Sequence, residues 1–230
     1  PASGEVAQVP GLFDEAVFNQ AIQEFLNKKE ELSDYFDPAQ TEDIFAYIPQ
    51  QKTSMVFTPQ NVVKHMVDIL EAENPGIFKD PDTTFADPVS TAGLFLMELV
   101  RRLDHGLTDQ IPDQEARLQH ILTKQIFKIS QSEITHRVTV EAVSGGHAQR
   151  RQWIDHSNHF RVANIAKLAT DERQHLAAAM LTGGNAMTRK FDVVIGNPPY
   201  QEEATGDGTR DTPVYHLFMD AAYEIGTKVV

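Results

Sequence analysis

Residues 192–200, read as DVVIGNPPY, join an apolar run to an amide, two prolines and an aromatic ring. The apolar run is typical of a buried strand, and Pro198 and Pro199 prevent the chain after it from continuing a hydrogen-bonded ladder. Asn197 then offers a side-chain carbonyl, Pro198 a backbone carbonyl, and Tyr200 a flat face for stacking. Two acceptors beside a stacking surface suit an amino group on an aromatic base.

A second stretch with binding chemistry lies closer to the N-terminus, where a short strand-like run stops at Asp87 and Pro88. Small residues follow from Ser90 to Gly93, and after them a helical pattern continues to Gly106. Strand, tight turn and helix form half of a βαβ unit, in which ligands bind at the carboxyl end of the strand.

The elements that position these stretches alternate between strands and helices. The strand-like runs are residues 83–86, 125–129 and 191–195. Residues 137–143 fit a strand as well as a helix. Thr58 is expected to cap a helix that has Pro59 in its first turn, and Thr212 with Pro213 is expected to cap the last helix. The alternation predicts an α/β fold with a mainly parallel sheet.

The composition limits the class of protein. The 230 residues carry a net charge of −13, are 41% hydrophobic and include no cysteine. Without cysteine, disulfides and thiolate metal sites are excluded, and a cytoplasmic setting fits best. No apolar run approaches the roughly 18 residues of a membrane span. The negative charge argues against a broadly nucleic-acid-binding surface, so such contacts must be local or made by another part of the protein.

The chain is predicted to divide near residue 50. Residues 1–50 read as a helical lead-in, with an amphipathic helix at 13–32, and residues 51–230 read as the main domain. Since the chain starts at Pro1 and stops at Val230 without a polar tail, we expect a fragment of a longer protein.

Three histidines, at positions 147, 156 and 159, lie with Trp153 in a polar stretch. No cysteine or carboxylate stands at a fixed spacing from them. We therefore interpret them as solvated histidines and predict no metal site.

The motifs and their order resemble those of a known enzyme family. Asn-Pro-Pro-Tyr after an apolar strand, residues 197–200, looks like the catalytic motif of the methyltransferases that modify adenine N6 in DNA. Phe57-Thr58-Pro59 resembles the family's first cofactor motif, and residues 87–96, DPVSTAGLFL, resemble its glycine-containing motif. This order is that of the gamma class. Residues 73–103 and 120–127 look closer still to the methylase modules of restriction-modification proteins, and the resemblance covers residues 40–226.

The resemblance implies S-adenosylmethionine as the cofactor and a Rossmann-like core whose sheet continues beyond Val230. The cofactor-binding residues that it implies are Phe57, Thr58, Pro59, Asp87, Pro88, Ser90, Gly93, Phe95 and Asn164. It implies catalytic roles for Asn197, Pro198, Pro199 and Tyr200. Asn197 and Pro198 would accept hydrogen bonds from adenine N6, while Tyr200 would stack on the base after it is flipped out of the duplex.

The partner that the resemblance implies is double-stranded DNA, read mostly by a target-recognition domain in another part of the protein. Whether a restriction endonuclease is fused to it stays open. The polar loop at residues 201–212 is interpreted either as a lid that closes on DNA or as a flexible connection.

Three positions depart from the family's pattern. Thr91 stands where the first glycine is usual, Ser130 where an acid for the ribose hydroxyls is common, and Asn164 where an aspartate is usual. Two alternatives therefore stay open: methylation of a glutamine side-chain amide in a protein, and a non-catalytic module for DNA docking or assembly.

Overall fold

The computed structural model describes residues 23, 27, 58–163, 165, 190–202 and 212–230. The predicted lead-in helix, apart from Gln23 and Asn27, lies outside the described residues, as do Phe57, Asn164 and residues 203–211 of the predicted lid. The division near residue 50 and the lid therefore stay predictions.

The core of the described residues is a five-stranded sheet in which every neighbouring pair is parallel. Its strands are β1 (Phe85–Asp87), β2 (Ile126–Ser130), β3 (Phe160–Val162), β4 (Phe191–Val194) and β7 (Gly226–Val229). Their spatial order is β3-β2-β1-β4-β7. Two short strands, β5 (Gln201–Glu202) and β6 (Thr212–Pro213), form a separate antiparallel pair. The predicted α/β, Rossmann-like fold is confirmed.

The helices connect the strands and cover the sheet. They are α1 (Gln60–Glu73), α2 (Leu94–Gly106), α3 (Gln114–His120), α4 (Glu133–Ser144), α5 (Ala148–Ser157) and α6 (Tyr215–Ile225), with a 3₁₀ turn at Ile77–Lys79 and a π-helical turn at Ile121–Gln125. Every position of β1 and β2 is buried, as expected for a parallel sheet covered on both faces. Within the described part of the chain, no helix combines the length and apolar character needed to cross a bilayer.

The ambiguous residues 137–143 belong to α4. The side chain of Ser132 accepts a hydrogen bond from the Thr135 backbone N–H, while the Thr135 side chain bonds back to the Ser132 backbone. This reciprocal cap starts a helix at Glu133, three residues after β2 ends, and it decides between the two periodicities.

Two predicted helix caps are wrong. Pro59, not Thr58, occupies the N-cap position of α1, and no side chain caps that helix. Thr212 and Pro213 lie in β6, paired with β5, and α6 begins only at Tyr215. The backbone N–H of Val214 donates to the Tyr200 carbonyl, which ties the end of this pair to the start of α6.

A group of charged side chains fixes α1 on α2. Glu98, only 6% exposed, accepts hydrogen bonds from Arg101 and Arg102. Arg102 also reaches Glu71, at 2.6 Å, and Asp68 on α1. Glu98 is shielded from water, whereas the side chains of Asp68 and Glu71 are 58% and 45% exposed, so the bonds between the two helices contribute the modest stabilisation of surface ion pairs. Thr58, just before α1, is thereby held near the start of α2.

Asp192 at the start of β4 clamps this strand to β1. Its Oδ2 atom accepts hydrogen bonds from both the backbone N–H and the hydroxyl of Thr84, each at 2.8 Å. The Thr84 hydroxyl in turn accepts from the Asp192 backbone N–H at 3.1 Å. Thr84 immediately precedes β1, so these bonds set the register of β4 beside β1. No local sequence pattern indicates this role of Asp192.

We expect Asp192→Ala to lower the free energy of unfolding by about 1–3 kcal/mol, since it leaves the buried N–H and hydroxyl of Thr84 without their acceptor. Asp192→Asn keeps one oxygen in place and is expected to lose clearly less. Equilibrium urea unfolding of both variants measures the difference. Equal losses in the two variants, or no loss in Asp192→Ala, would contradict the clamp.

Candidate active site

The two stretches that the sequence singles out meet at one edge of the sheet. β1 and β4 are neighbours, and the chain continues from them in opposite directions, to β2 and β3 on one side and to β7 on the other. Such a switch point leaves a crevice outside the carboxyl ends of the two strands. Asp87 ends β1, and Asn197 follows β4 by three residues, so both lie at this crevice.

An open cleft occupies this position, with about 320 Å³ of empty space including the part open to solvent. The residues lining it are Thr58, Asp87, Val89, Thr91, Ala92, Gly93, Leu94, Phe95 and Asn197. Five of the predicted site residues thus come together, from three separate parts of the chain.

The other predicted site residues either lie near the cleft without lining it or are not among the residues that the structure describes. Pro88 and Ser90 are buried within the turn after β1, and Pro59 is exposed at the start of α1. Pro198 and Pro199 are partly exposed beyond Asn197. Phe57 and Asn164 are not among the described residues.

Gly93 shapes the turn between β1 and α2. Its φ angle is +82°, and a Cβ atom there would lie 2.7 Å from Cγ2 of Thr139 on α4, so only glycine fits. The N-terminus of α2 begins directly after it and has no side-chain cap. The free N–H groups and the dipole of this helix end attract an anionic group placed in the cleft.

The turn is also held from the side of β2. The Ser90 N–H donates to the Ile129 carbonyl at 3.0 Å, and the Ser130 hydroxyl donates to the Ser90 carbonyl at 3.2 Å. The Thr139 hydroxyl reaches the Thr91 carbonyl at 3.4 Å. These bonds fix the backbone of the turn although Thr91 stands where the resemblance implies a glycine.

Asp87 is buried under the cleft. Its Oδ1 atom accepts a hydrogen bond from the Val89 N–H at 3.1 Å. Burial raises the pKa of Asp87 to about 7, although the hydrogen bonds from Val89 and Ser90 and the charge of Lys128 act to lower it. A Cβ at Gly196 would lie 3.0 Å from Oδ1 of Asp87, so the glycine before Asn197 lets β4 pass close to this carboxyl group.

Lys128 is a buried cation that the sequence analysis missed. It is fully buried in β2 and lies opposite Asp87 in the sheet register. Its Nζ atom donates to the Ser130 hydroxyl at 2.6 Å, which in turn donates to the turn at Ser90. Burial lowers the pKa of Lys128 to about 7, against the charges of Asp87 and Glu133, which raise it. The signal that could have identified Lys128 is its position as a charged residue inside the apolar run IFKIS, residues 126–130.

The donors and acceptors of the cleft fit one end of S-adenosylmethionine better than the other. The N-terminus of α2 and the Thr58 hydroxyl suit the amino-acid end of that molecule. At the end of β2, the Ser130 hydroxyl is already engaged with Lys128 and Ser90, and Glu133 is exposed at the start of α4. Of the described residues lining the cleft, Asp87 is the only one with a carboxyl group.

Asn197 contacts a residue that lies 139 positions earlier in the chain. Its amide nitrogen, Nδ2, donates to the Thr58 hydroxyl at 3.1 Å. This bond engages the donor end of the carboxamide, so the oxygen is the end available as an acceptor for a ligand.

Tyr200 presents its ring to solvent, with 66% of the residue exposed. Its backbone carbonyl is fixed by Val214, and β5 begins with the next residue. The ring is therefore accessible for stacking at the base of the loop between β5 and β6.

Comparison with known protein families identifies the family of this chain. The family model described as Eco57I restriction-modification methylase matches residues 107–230, more than half of the chain. The chain belongs to this family. The match includes Asn197 to Tyr200, whereas Thr58 and the turn after β1 lie before it.

A curated relative in Mycoplasma pneumoniae (strain ATCC 29342 / M129 / Subtype 1) is described as an "uncharacterized adenine-specific methylase". It is 26% identical to this chain over an alignment of 229 positions, covering 79% of this chain and 54% of the relative. The chain thus spans about half the length of the relative.

We expect Lys128→Met to raise the pKa of Asp87 further above its usual range, because the positive charge that lowers it is removed. Titration of the Asp87 carboxyl carbon by ¹³C NMR measures this. Lys190→Met is the control, since the exposed Lys190 ammonium contacts the Tyr223 carbonyl instead. An unchanged Asp87 titration in Lys128→Met would show that the two groups are not coupled.

Proposed function

We propose that the protein containing this chain is a DNA methyltransferase that transfers a methyl group from S-adenosylmethionine to adenine N6, as part of a restriction-modification system. The observation that carries the proposal is the meeting of Asn197, Thr58 and the turn after β1 in one cleft at the switch point of the sheet. Membership of the methylase family supports it, as does the description of the Mycoplasma pneumoniae relative as adenine-specific.

The cofactor would be held between α1 and the turn. The N-terminus of α2 attracts its carboxylate, Asp87 offers a polar contact, and Phe95 forms an apolar wall. When bound, S-adenosylmethionine supplies an electrophilic methyl group on a sulfonium sulfur. The roles of Phe57, Pro59, Pro88, Ser90 and Asn164 at this site stay part of the proposal.

The residues after β4 would prepare the nucleophile. The lone pair of adenine N6 is delocalised into the ring, so the amino group is a weak nucleophile. Hydrogen bonds from its N–H groups to the Asn197 side chain and the Pro198 carbonyl increase electron density on nitrogen, and they place it for in-line attack. Pro199 keeps this backbone rigid, and Tyr200 stacks on the flipped base.

The acidity of this chain places most DNA contacts elsewhere in the protein. A net charge of −13 opposes broad contact with phosphates. We infer that a target-recognition domain outside this chain reads the duplex, and that the cleft receives only the flipped adenine. A restriction endonuclease, fused or separate, is the further partner that such a system implies.

The residues of the cleft also bear on the two alternatives, glutamine methylation and a non-catalytic module. The Asn197–Thr58 bond favours adenine methylation over glutamine methylation, because the latter does not need the Thr-Pro element before α1. Thr91 and Ser130 favour the non-catalytic module, whereas an open cleft with an uncapped helix end favours cofactor binding.

We expect Asn197→Ala to lower the single-turnover rate of methyl transfer to unmethylated duplex DNA by at least about 100-fold, since an acceptor that strengthens in the transition state is lost. Cofactor affinity, measured by isothermal titration, should stay within about threefold. Gln119→Ala, an exposed amide on α3, is the control.

Unchanged transfer in Asn197→Ala would refute the assigned role of this residue. Methyl transfer by the intact protein to a glutamine side chain instead of DNA would decide for the first alternative. Absence of cofactor binding by the intact protein would decide for the non-catalytic module.

Tyr200→Ala should lower kcat/KM for duplex DNA by about 10- to 100-fold, because base stacking on an aromatic ring contributes about 1–3 kcal/mol. Tyr200→Phe keeps the ring and should retain most of the activity. Steady-state kinetics with unmethylated plasmid DNA distinguishes the two variants. Equal losses would mean that the hydroxyl group, and not the ring, is what matters.

A further inference from the structure

Thr58 has a contact that its position in the sequence does not suggest. A threonine before a proline at the start of a helix is a typical cap, yet α1 has Pro59 at its N-cap and no side-chain cap. The Thr58 hydroxyl instead accepts the hydrogen bond from Nδ2 of Asn197 at 3.1 Å. Both residues are half-buried, and both line the cleft.

The bond matters because a carboxamide has two chemically different ends. A rotation of half a turn exchanges its N–H₂ donor with its carbonyl acceptor. Only the acceptor can receive a hydrogen bond from a substrate amino group. In the reversed orientation, the N–H₂ group of Asn197 would oppose the N–H groups of the substrate, and two donors would face each other.

Helix α1, which follows Thr58 directly, is anchored near both of its ends. The Pro59 carbonyl accepts hydrogen bonds from the N–H groups of Val62 and Val63, at 2.9 and 3.1 Å, which anchors the start of α1. Val63 is buried, and Arg102 joins the other end of α1 to α2. The acceptor for the Asn197 amide is therefore attached to a fixed helix rather than to a loose loop.

We propose that Thr58 is a positioning residue, whose hydroxyl holds the Asn197 carboxamide with its oxygen directed to the amino group of the substrate. The inference rests on the proposed methyltransferase function and assigns Thr58 a role in the methyl-transfer step. It differs from the cofactor contact that the family resemblance implies for Thr58, and the two roles have different kinetic consequences.

The test compares Thr58→Val with Thr58→Ser in the full-length protein. Valine keeps the shape of threonine and removes the hydroxyl, whereas serine keeps the hydroxyl. At saturating S-adenosylmethionine and DNA, we expect Thr58→Val to lower the single-turnover rate about 10- to 100-fold, the range for loss of one hydrogen bond to a reacting site. Thr58→Ser should recover most of that rate, and the Kd for the cofactor should change less than about threefold in both.

A second readout follows the amide directly. The side-chain N–H₂ signals of Asn197, assigned by their loss in Asn197→Ala, are observed in a ¹H–¹⁵N NMR spectrum. In Thr58→Val they should move upfield and exchange faster with water, because the hydrogen bond is absent. In Thr58→Ser they should stay close to their original positions. Unchanged signals in Thr58→Val would overturn the proposal without any measurement of activity.

The kinetic outcomes separate the possible failures. A Thr58→Val variant that binds cofactor weakly but transfers methyl at the original rate once saturated would make Thr58 a cofactor ligand and overturn its positioning role. If Asn197→Ala is inactive while Thr58→Val equals the unmodified protein, this inference alone fails. If Asn197→Ala stays active, the role assigned to Asn197 fails, and this inference fails with it. If the unmodified full-length protein transfers no methyl group to DNA, the proposed function fails first.

Discussion

The parallel pairing of β1 with β4 is the constraint on which the candidate site depends. Asp192 and Thr84 lock the amino ends of these strands together, and the strands are short, so their carboxyl ends are placed to within one residue. One strand then delivers Asp87 and the small-residue turn, while the other delivers Asn197. A shift of register by one residue would turn the side chains of β4 to the other face of the sheet.

The buried charges below the turn form a second level of organisation. Asp87 and Lys128 lie side by side in the sheet. Burial raises the pKa of Asp87 and lowers the pKa of Lys128, and both changes favour the neutral form of the group. A single charge there would be costly, whereas opposite charges with further hydrogen bonds offset the loss of hydration. Through Ser130, Lys128 reaches the Ser90 carbonyl, so the charged pair is connected to the backbone of the turn.

Helix α1 completes the cleft from outside the sheet. Thr58, just before α1, carries the hydroxyl that contacts Asn197. The acidic side chains of α1 bind Arg102 of α2. Since α2 begins at the turn after β1, the same helix supports the turn at one end and α1 along its length. The three parts of the cleft are thus joined through one helix as well as through the sheet.

The sequence by itself determined the α/β class, three of the five strands of the sheet (β1, β2 and β4), the turn after β1 and the order of the motifs, because these depend on local periodicity, small residues and prolines. It also placed the ends of α1 and α2 at Asn74 and Gly106. Only the tertiary structure decided that Thr58 contacts Asn197, that Asp192 bonds to Thr84, and that Lys128 is buried beside Asp87. The physical reason is distance along the chain: the partners of Thr58 and Asp192 lie more than a hundred residues away, and no local pattern encodes which side chain will meet another across a sheet.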